Sequence, residues 1–341
     1  PGPLRLSRTP YLREPLDCFS DESVEEITCE MGTQLGKTLM QFACLGYAID
    51  QDPGTALYVM PDEQTAKKVI KARIIPLVRN SPALRKHLAG ERSDTSEVRL
   101  DFDRMFCFPA WAQSPASLAS FPCRYVLLDE IDKYPRWSGR EADPASLAEE
   151  RTKNYWNRKI VRVSTPTTTS GLIHRYYRLS DQRRYWVPCP HCGEYQVLIW
   201  SQVKWPHDVH RERIKTENLA WYECESCKER IEDLHKPHML ERGVWAPAGC
   251  QVGKEGELLG TAEGGSHPGF HLSSLYSPWV TFGRAAGVFL ESHKDPAKLM
   301  NFVNSWLAEV WQEKLEEVDE EGVRALRRPY KLGYVPKDAV C

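Results

Sequence analysis

At 341 residues the chain is long enough for one large core or for two domains with smaller modules, and a hydrophobic share of 41% beside a charged share of 27% places it with soluble globular proteins. No apolar run approaches the roughly 20 residues of a membrane span, which excludes a helical membrane protein. A formal net charge of −2 excludes a uniformly basic nucleic-acid coat but leaves room for local patches that meet phosphate. The first residues, Pro1-Gly2-Pro3-Leu4-Arg5-Leu6, carry neither an initiator Met nor the apolar core of a signal peptide, so the expectation is a trimmed chain without a secretory leader. Of eleven cysteines, four form two Cys-x-x-Cys pairs and the others are scattered, with Cys29, Cys44 and Cys107 reading as buried thiols of a reducing compartment.

Leu4 to Phe19 is rich in Pro and Arg without a period, and reads as an extended arm or a short helix packed on the first domain. Tyr11 to Pro15 has an alternative reading as a flank for a nucleotide base. Val24 to Cys29 alternates and gives way to Gly32 and Gly36, the pattern of a strand entering a tight turn, and Thr38 to Ile49 continues as a helix. A strand at Thr55 to Met60 leads to Asp62, a candidate N-cap for the next helix. Val98 to Trp111 reads as a β-ribbon. Arg124 to Asp129 is a continuous apolar strand, as expected of a central parallel strand covered on both faces. Asp143-Pro144 starts a helix, and Lys159 to Ser164 is a fifth strand of an open α/β sheet. After Asp181 the texture changes to short strands, aromatics and both cysteine pairs.

The predicted organisation is an arm over 1–20, a P-loop ATPase domain of RecA/ASCE type with a mainly parallel open sheet over 21–181, a small zinc-ribbon-like module over 182–245, a glycine-rich loop and helical region over 246–311, and a solvated linker over 312–341.

The chemistry centres on Thr33-Gln34-Leu35-Gly36-Lys37-Thr38. A Walker A motif wants glycine where this chain has Met31, with Gly32 next to it, so the pattern is degenerate. Its context supports it: a strand before, an amphipathic helix after, and Leu127-Leu128-Asp129-Glu130 downstream. Lys37 would neutralise the β- and γ-phosphates of ATP, Thr38 and Asp129 would hold Mg²⁺, residues 33–36 would offer N–H donors, and Glu130 would take a proton from the attacking water. Ser164-Thr165-Pro166 ends the neighbouring strand, where hydroxyls can sense a γ-phosphate. For Arg140, Arg151, Arg158, Lys159 and Arg162 a solvated face is the default, with Arg140 the candidate for an arginine that reaches a phosphate of a neighbouring subunit. Cys189, Cys192, Cys224 and Cys227 form two knuckles with 31 residues between the pairs, a donor set for tetrahedral, structural Zn²⁺. His191 reads as a hydrogen-bonding neighbour, and His207 and His210 remain alternative ligands.

This ordered set resembles the lambda-type large terminase subunit family of tailed bacteriophages. The resemblance rests on Thr9-Pro10-Tyr11, the phosphate loop ending in Lys37-Thr38, Leu127 to Asp132, Gly139-Arg140-Glu141, Ser164-Thr165-Pro166-Thr167, the two knuckles, Gly269-Phe270-His271-Leu272 and Phe302-Val303-Asn304. It implies an ATPase that forms a ring on the capsid portal, is loaded onto DNA with a small terminase subunit, and packages double-stranded DNA in the host cell cytoplasm. It also implies that Ser164-Thr165-Pro166 couples hydrolysis to movement. Family members carry a C-terminal endonuclease, which the reading places beyond Cys341. Many members have a basic residue early in the phosphate loop, where this chain has Glu30 and Met31. The rival readings are a superfamily 2 helicase-like translocase, which Asp129-Glu130-Ile131-Asp132 matches, and a zinc-dependent scaffold without activity.

Overall fold

Tyr125 to Asp129 offers five consecutive side chains with no polar face until its last residue, so it can only be stable with cover on both sides. The computed structural model describes residues 5–88, 99–137, 143–262 and 266–312, and in it all five are buried.

The strands, in chain order, are β1 (Glu26–Met31), β2 (Ala56–Met60), β3 (Leu100–Asp101), β4 (Phe106–Trp111), β5 (Tyr125–Asp129) and β6 (Lys159–Ser164). Parallel pairing runs β4-β2-β5-β6-β1, with β3 antiparallel on β4, so the expected β-ribbon is a short hairpin at one edge.

The sheet does not stop at β1. Beyond Asp181 come β7 (Arg183–Pro188), β8 (Tyr195–Val197), β9 (Val203–Lys204), β10 (Trp221–Glu223), β11 (Arg230–Ile231), β12 (Val244–Ala246), β13 (Gln251–Val252), β14 (Leu258–Leu259) and β15 (Gly269–Leu272). The main sheet has ten strands in the order β12-β7-β15-β1-β6-β5-β2-β4-β3, with β8 added on β7. Four strands that come after the change of texture therefore belong to the same sheet as the phosphate loop, and residues up to Trp311 form one compact unit. β9, β10 and β11 form a separate small sheet, and β13 and β14 a hairpin within the glycine-rich stretch.

β1 sits inside this order, with β6 on one side and β15 on the other. In open α/β sheets ligands bind beyond the carboxyl ends of strands near such a point. The C-terminal ends of β1, β5 and β6 carry Met31, Asp129 and Ser164.

The N-terminal segment is part of the core rather than a loose arm. Pro10–Leu12 forms a single helical turn that leads into the helix Arg13–Ser20. Tyr11 is fully buried, edge-on to Tyr185, and its carbonyl accepts from Trp245 Nε1 at 2.9 Å. That burial removes Tyr11 as a flank for a nucleotide base.

Two cations expected on a solvated face are internal. Arg162, 1% exposed, bridges Glu26 Oε2 at 2.6 Å and Glu149 Oε1 at 2.7 Å, with its guanidinium 3.9 Å from the centre of the Tyr176 ring. Lys159 is buried too, donating to the carbonyls of Asp21 and Val24. Both lie on β6, which is covered on both faces, so their stems fill core and their heads must find partners in the chain. Arg158 pairs with Glu25 at the strand's start.

Candidate nucleotide site and cysteine cluster

The phosphate loop depends on two glycines. Gly36 has φ +93, a left-handed conformation that lets the chain turn from the loop into the helix Lys37–Asp50. Gly32 is needed for a different reason: a Cβ there would lie 2.8 Å from Ser274 Oγ and 3.0 Å from the Ser305 carbonyl. The loop is thus pressed against segments far along the chain, and the Thr33 N–H donates to the Ser305 carbonyl at 2.8 Å. That N–H is already engaged, which leaves the amides from Gln34 onward as the loop's donors. Gln34 itself has φ +60.

Lys37 is 6% exposed, and its ammonium donates to the carbonyls of Met31 at 2.8 Å and Gly32 at 2.9 Å and to Thr165 Oγ1 at 2.8 Å. Glu130 Oε1 lies 3.9 Å away. Burial pulls the lysine pKa below its ordinary value, against the pull of Glu130 and then Asp129. Three donors and three acceptors hold the ammonium over the loop, joining the ends of β1 and β6.

Asp129 lies beside it. Its Oδ2 faces Thr38 Oγ1 at 3.3 Å and the Tyr58 hydroxyl at 3.4 Å, while Oδ1 is buried without a hydrogen-bond partner among the described residues. An orphaned, buried carboxylate oxygen next to a threonine hydroxyl is the donor set a hard divalent cation takes. Burial, followed by the charge of Glu130, pushes the Asp129 carboxyl up to about 6. Glu130 has φ +54, an uncommon conformation for a non-glycine residue that turns the chain sharply after β5. Its other oxygen, Oε2, is buried 3.3 Å from Lys133 Nζ without a hydrogen bond among the described residues, while the side chain as a whole is 24% exposed.

The Ser-Thr-Pro segment is tied to the same turn. Ser164 Oγ accepts from the Asp132 N–H at 3.3 Å. Asp132 in turn accepts from the Thr167 N–H and hydroxyl, both at 2.8 Å, and from the Ile173 N–H at 2.7 Å. One carboxylate therefore fixes the loop after β6 and the start of the helix Leu172–Leu179 to the end of β5.

The four cysteines come together from two matching knuckles. In each, the first Cys N–H and carbonyl close a turn, and the residue after the second Cys is left-handed: Gly193 with φ +77, Lys228 with φ +63. All four Sγ atoms lie within 4.8 Å of one another, with Cys189 to Cys227 at 3.8 Å and Cys192 to Cys224 at 3.9 Å. These separations are far from a disulfide bond and close to the roughly 3.8 Å edge of a tetrahedron with ~2.3 Å metal–sulfur bonds. His191 Nε2 donates to the Arg230 carbonyl, 2.8 Å away, as a neighbour rather than a ligand. His207 and His210 stand outside the cluster and line a separate groove.

The model of the family described as phage terminase large subunit gpA, ATPase domain, matches residues 1–245. The chain belongs to this gpA terminase family. The model of the gpA endonuclease domain matches residues 267–341. It thus begins well before Cys341, the position beyond which the sequence reading placed that domain. Its first described part, including β15, is built into the sheet that carries the phosphate loop. Among curated relatives, the terminase large subunit of Enterobacteria phage P21 is 25% identical over 92% of this chain and 50% of its own length. That of Escherichia phage lambda is 24% identical over 97% of this chain and 53% of its own. The terminase chain spans about half the length of these relatives. A solved structure, the large terminase ATPase domain of Thermus phage P74-26, aligns over 90% of this chain and 94% of its own at 13% identity and a TM-score of 0.45.

Of the residues the sequence of this terminase chain nominates, the structure brings Lys37, Thr38, Asp129, Glu130 and Thr165 to one place. Arg140 lies outside the described residues. The helicase reading needs a second RecA-like lobe, whereas the described residues after Asp181 complete the first sheet.

Motif reading missed Gln41 and Tyr58. The Gln41 amide donates to the Leu128 carbonyl at 2.9 Å, and its oxygen accepts from the Tyr58 hydroxyl at 2.9 Å, a buried network that props β5 from behind. A glutamine on the buried face of a helix, with a tyrosine inside a fully apolar strand, was the available signal. Glu30 was noted only as a departure from a basic residue; it is 2% exposed and 3.0 Å from His174 Nδ1. The position early in the loop is thus filled by an internal ion pair.

Proposed function

We propose that this chain is the ATP-hydrolysing portion of a motor subunit that packages double-stranded viral DNA. The observation that carries the reading is the joint placement of the Lys37 ammonium and Thr38 hydroxyl after β1, the orphaned Asp129 oxygen at the end of β5 and Thr165 after β6, which lies between them. Lys37 exchanges its two carbonyl partners for the β- and γ-phosphates of ATP while keeping Thr165 in reach. Thr38 and Asp129 hold Mg²⁺, which neutralises phosphate charge when bound with the nucleotide. Glu130 orients the attacking water and accepts its proton. Gln34, Leu35 and Gly36 offer backbone N–H groups; the Thr33 N–H, engaged by Ser305, is freed for phosphate only if the loop moves.

In the same reading Ser164, Thr165 and Pro166 couple the site to movement, because Thr165 touches Lys37 and Asp132 links the following loop to β5. Arg140 is the candidate to reach a phosphate in a neighbouring copy. The four cysteines hold Zn²⁺ in a closed, structural site. The whole protein would act as a ring of copies on the capsid portal, with a small terminase subunit, in the host cell cytoplasm, and would cut DNA through its endonuclease domain.

The deciding measurement is ATP turnover with and without duplex DNA. Turnover that DNA stimulates supports a motor, and turnover indifferent to DNA counts against one. Lys37→Ala should lower turnover by roughly 100-fold or more, and Glu130→Gln should do the same while nucleotide binding persists. Undiminished turnover in Lys37→Ala would remove the site assignment and leave the zinc-scaffold reading.

A further inference from the structure

Beside the phosphate loop lies a cavity of about 520 Å³. Its walls include Thr33 and Gln34 of the loop itself, Ser274, Trp279, Arg284 and Trp306. None of these aromatic or cationic residues belongs to the site so far described.

Its construction is that of a small-molecule pocket: concave, with the two indoles of Trp279 and Trp306, the aliphatic Val280, several hydroxyl and amide side chains and one charge. Trp306 is a fixed wall, stacked on Phe302 with centroids 6.0 Å apart and ring planes 22° apart. Trp279 is 56% exposed, and among the described residues no other ring lies against it. An indole left in water at the rim of a cavity has an unused stacking face. The Arg284 guanidinium has no ion-pair partner among the described residues, although acids are plentiful in the chain. The loop touches both this cavity, through Thr33 and Gln34, and Lys37, through the Gly32 carbonyl.

We propose that this cavity is the nucleoside subsite: it takes the base and ribose of the nucleotide whose phosphates meet Lys37, with the base stacked on Trp279 and Trp306. This rests on the nucleotide reading of the loop. It also supplies what burial of Tyr11 took away, an aromatic partner for the base, and Arg284 adds one cation to the cavity's lining. A subsite made this way is lined through stacking faces, so it recognises a planar heteroaromatic base with limited discrimination between purines.

The experiment compares two probes, ADP with magnesium and inorganic tripolyphosphate with magnesium, by calorimetry on the full chain. In Trp279→Ala the Kd for ADP should rise roughly tenfold while that for tripolyphosphate stays within about twofold. Trp279→Phe, which keeps a ring, should restore most of the ADP affinity. Lys37→Ala is the reference, because it should weaken both probes. ADP binding unchanged in Trp279→Ala, or both probes weakened alike, would overturn the subsite while leaving the phosphate site standing. Failure of the wild-type chain to bind either probe would overturn the nucleotide reading, and the subsite with it. Trp279 is a surface residue, so loss of fold is not expected; a matched circular dichroism spectrum checks it.

Discussion

Single residues in this chain are held by partners that the sequence places far away, and the histidine and arginine pairs near the site make this measurable. The Glu30 hydrogen bond holds the His174 imidazolium, raising its pKa above the ordinary value, while burial outweighs the ion pair at Glu30 and raises that carboxyl as well. For His174 the folded value lies above the unfolded one, so the pairing contributes its full stability below about pH 6.5 and loses it as pH rises through the raised value. His174→Gln keeps a hydrogen bond and removes the charge. It should therefore be less stable than the wild type by about 1 kcal/mol at pH 6 and near parity at pH 9, read by urea denaturation at both values. Arg162 gives a larger effect. Arg162→Met strands two carboxylates against buried surface and should lower stability by about 3–5 kcal/mol, visible as a shifted denaturation midpoint.

Lys37, Thr38, Asp129 and Glu130 were legible as a group because sites of the proposed kind are written in short motifs of fixed local spacing, and the structure brings the four together. Arg162, Gln41 and Tyr58 were not legible in their roles. Arg162 looks like an ordinary surface cation until β1 and the helix Pro144–Glu149 bring Glu26 and Glu149 to it, and nothing local in the sequence records that meeting.

Elements show the same division. β1, β2, β5 and β6, with the helix after the phosphate loop, are written in apolar periodicity. β7 begins Arg183-Arg184-Tyr185 and β15 is four residues long after a run of glycines, so neither has a periodic signature; their pairing is dictated by the strand edges that β1 leaves open. The knuckles were legible through cysteine spacing, yet their supporting strands lead in two directions. β7 and β8 run into the main sheet, and β9 to β11 form their own. Chelation should consequently act on one part more than the other. With EDTA present, amides of β9, β10 and β11 should lose hydrogen-exchange protection, while those of β5 keep theirs. Uniform loss, or no zinc by elemental analysis of the untreated protein, would contradict the assignment. Gly32→Ala probes the other long-range contact: displacing the loop from Ser274 should reduce turnover, with wild-type stability largely retained.

At the scale of the whole molecule, the phosphate loop is supported by residues on both sides of the texture change at Asp181. Ser274 and Ser305 brace it from behind, and the Gly32 N–H donates to the Leu272 carbonyl at 2.9 Å. The stretch matched by the ATPase-domain family model ends at residue 245, so β15 falls outside it. A truncation after residue 245 should therefore expose the β1 edge and turn over ATP far more slowly than the chain through Trp311, if it remains in solution at all. Comparing the two by turnover and by sedimentation tests this.

The place of β15 also orders events during synthesis. The strand that joins β1 to β7 is made about 240 residues after β1, so one edge of β1 must wait unpaired through that interval of translation. The first stretches to emerge can assemble β1 to β6, whereas β7 and β12 have no place to dock until Gly269 to Leu272 arrives. At a translation rate of roughly 5–20 residues per second this delay is on the order of tens of seconds, long enough for a neighbouring nascent chain on the same message to pair with the open edge. Protection of that edge by a chaperone, or slow expression, should raise the yield of folded chain.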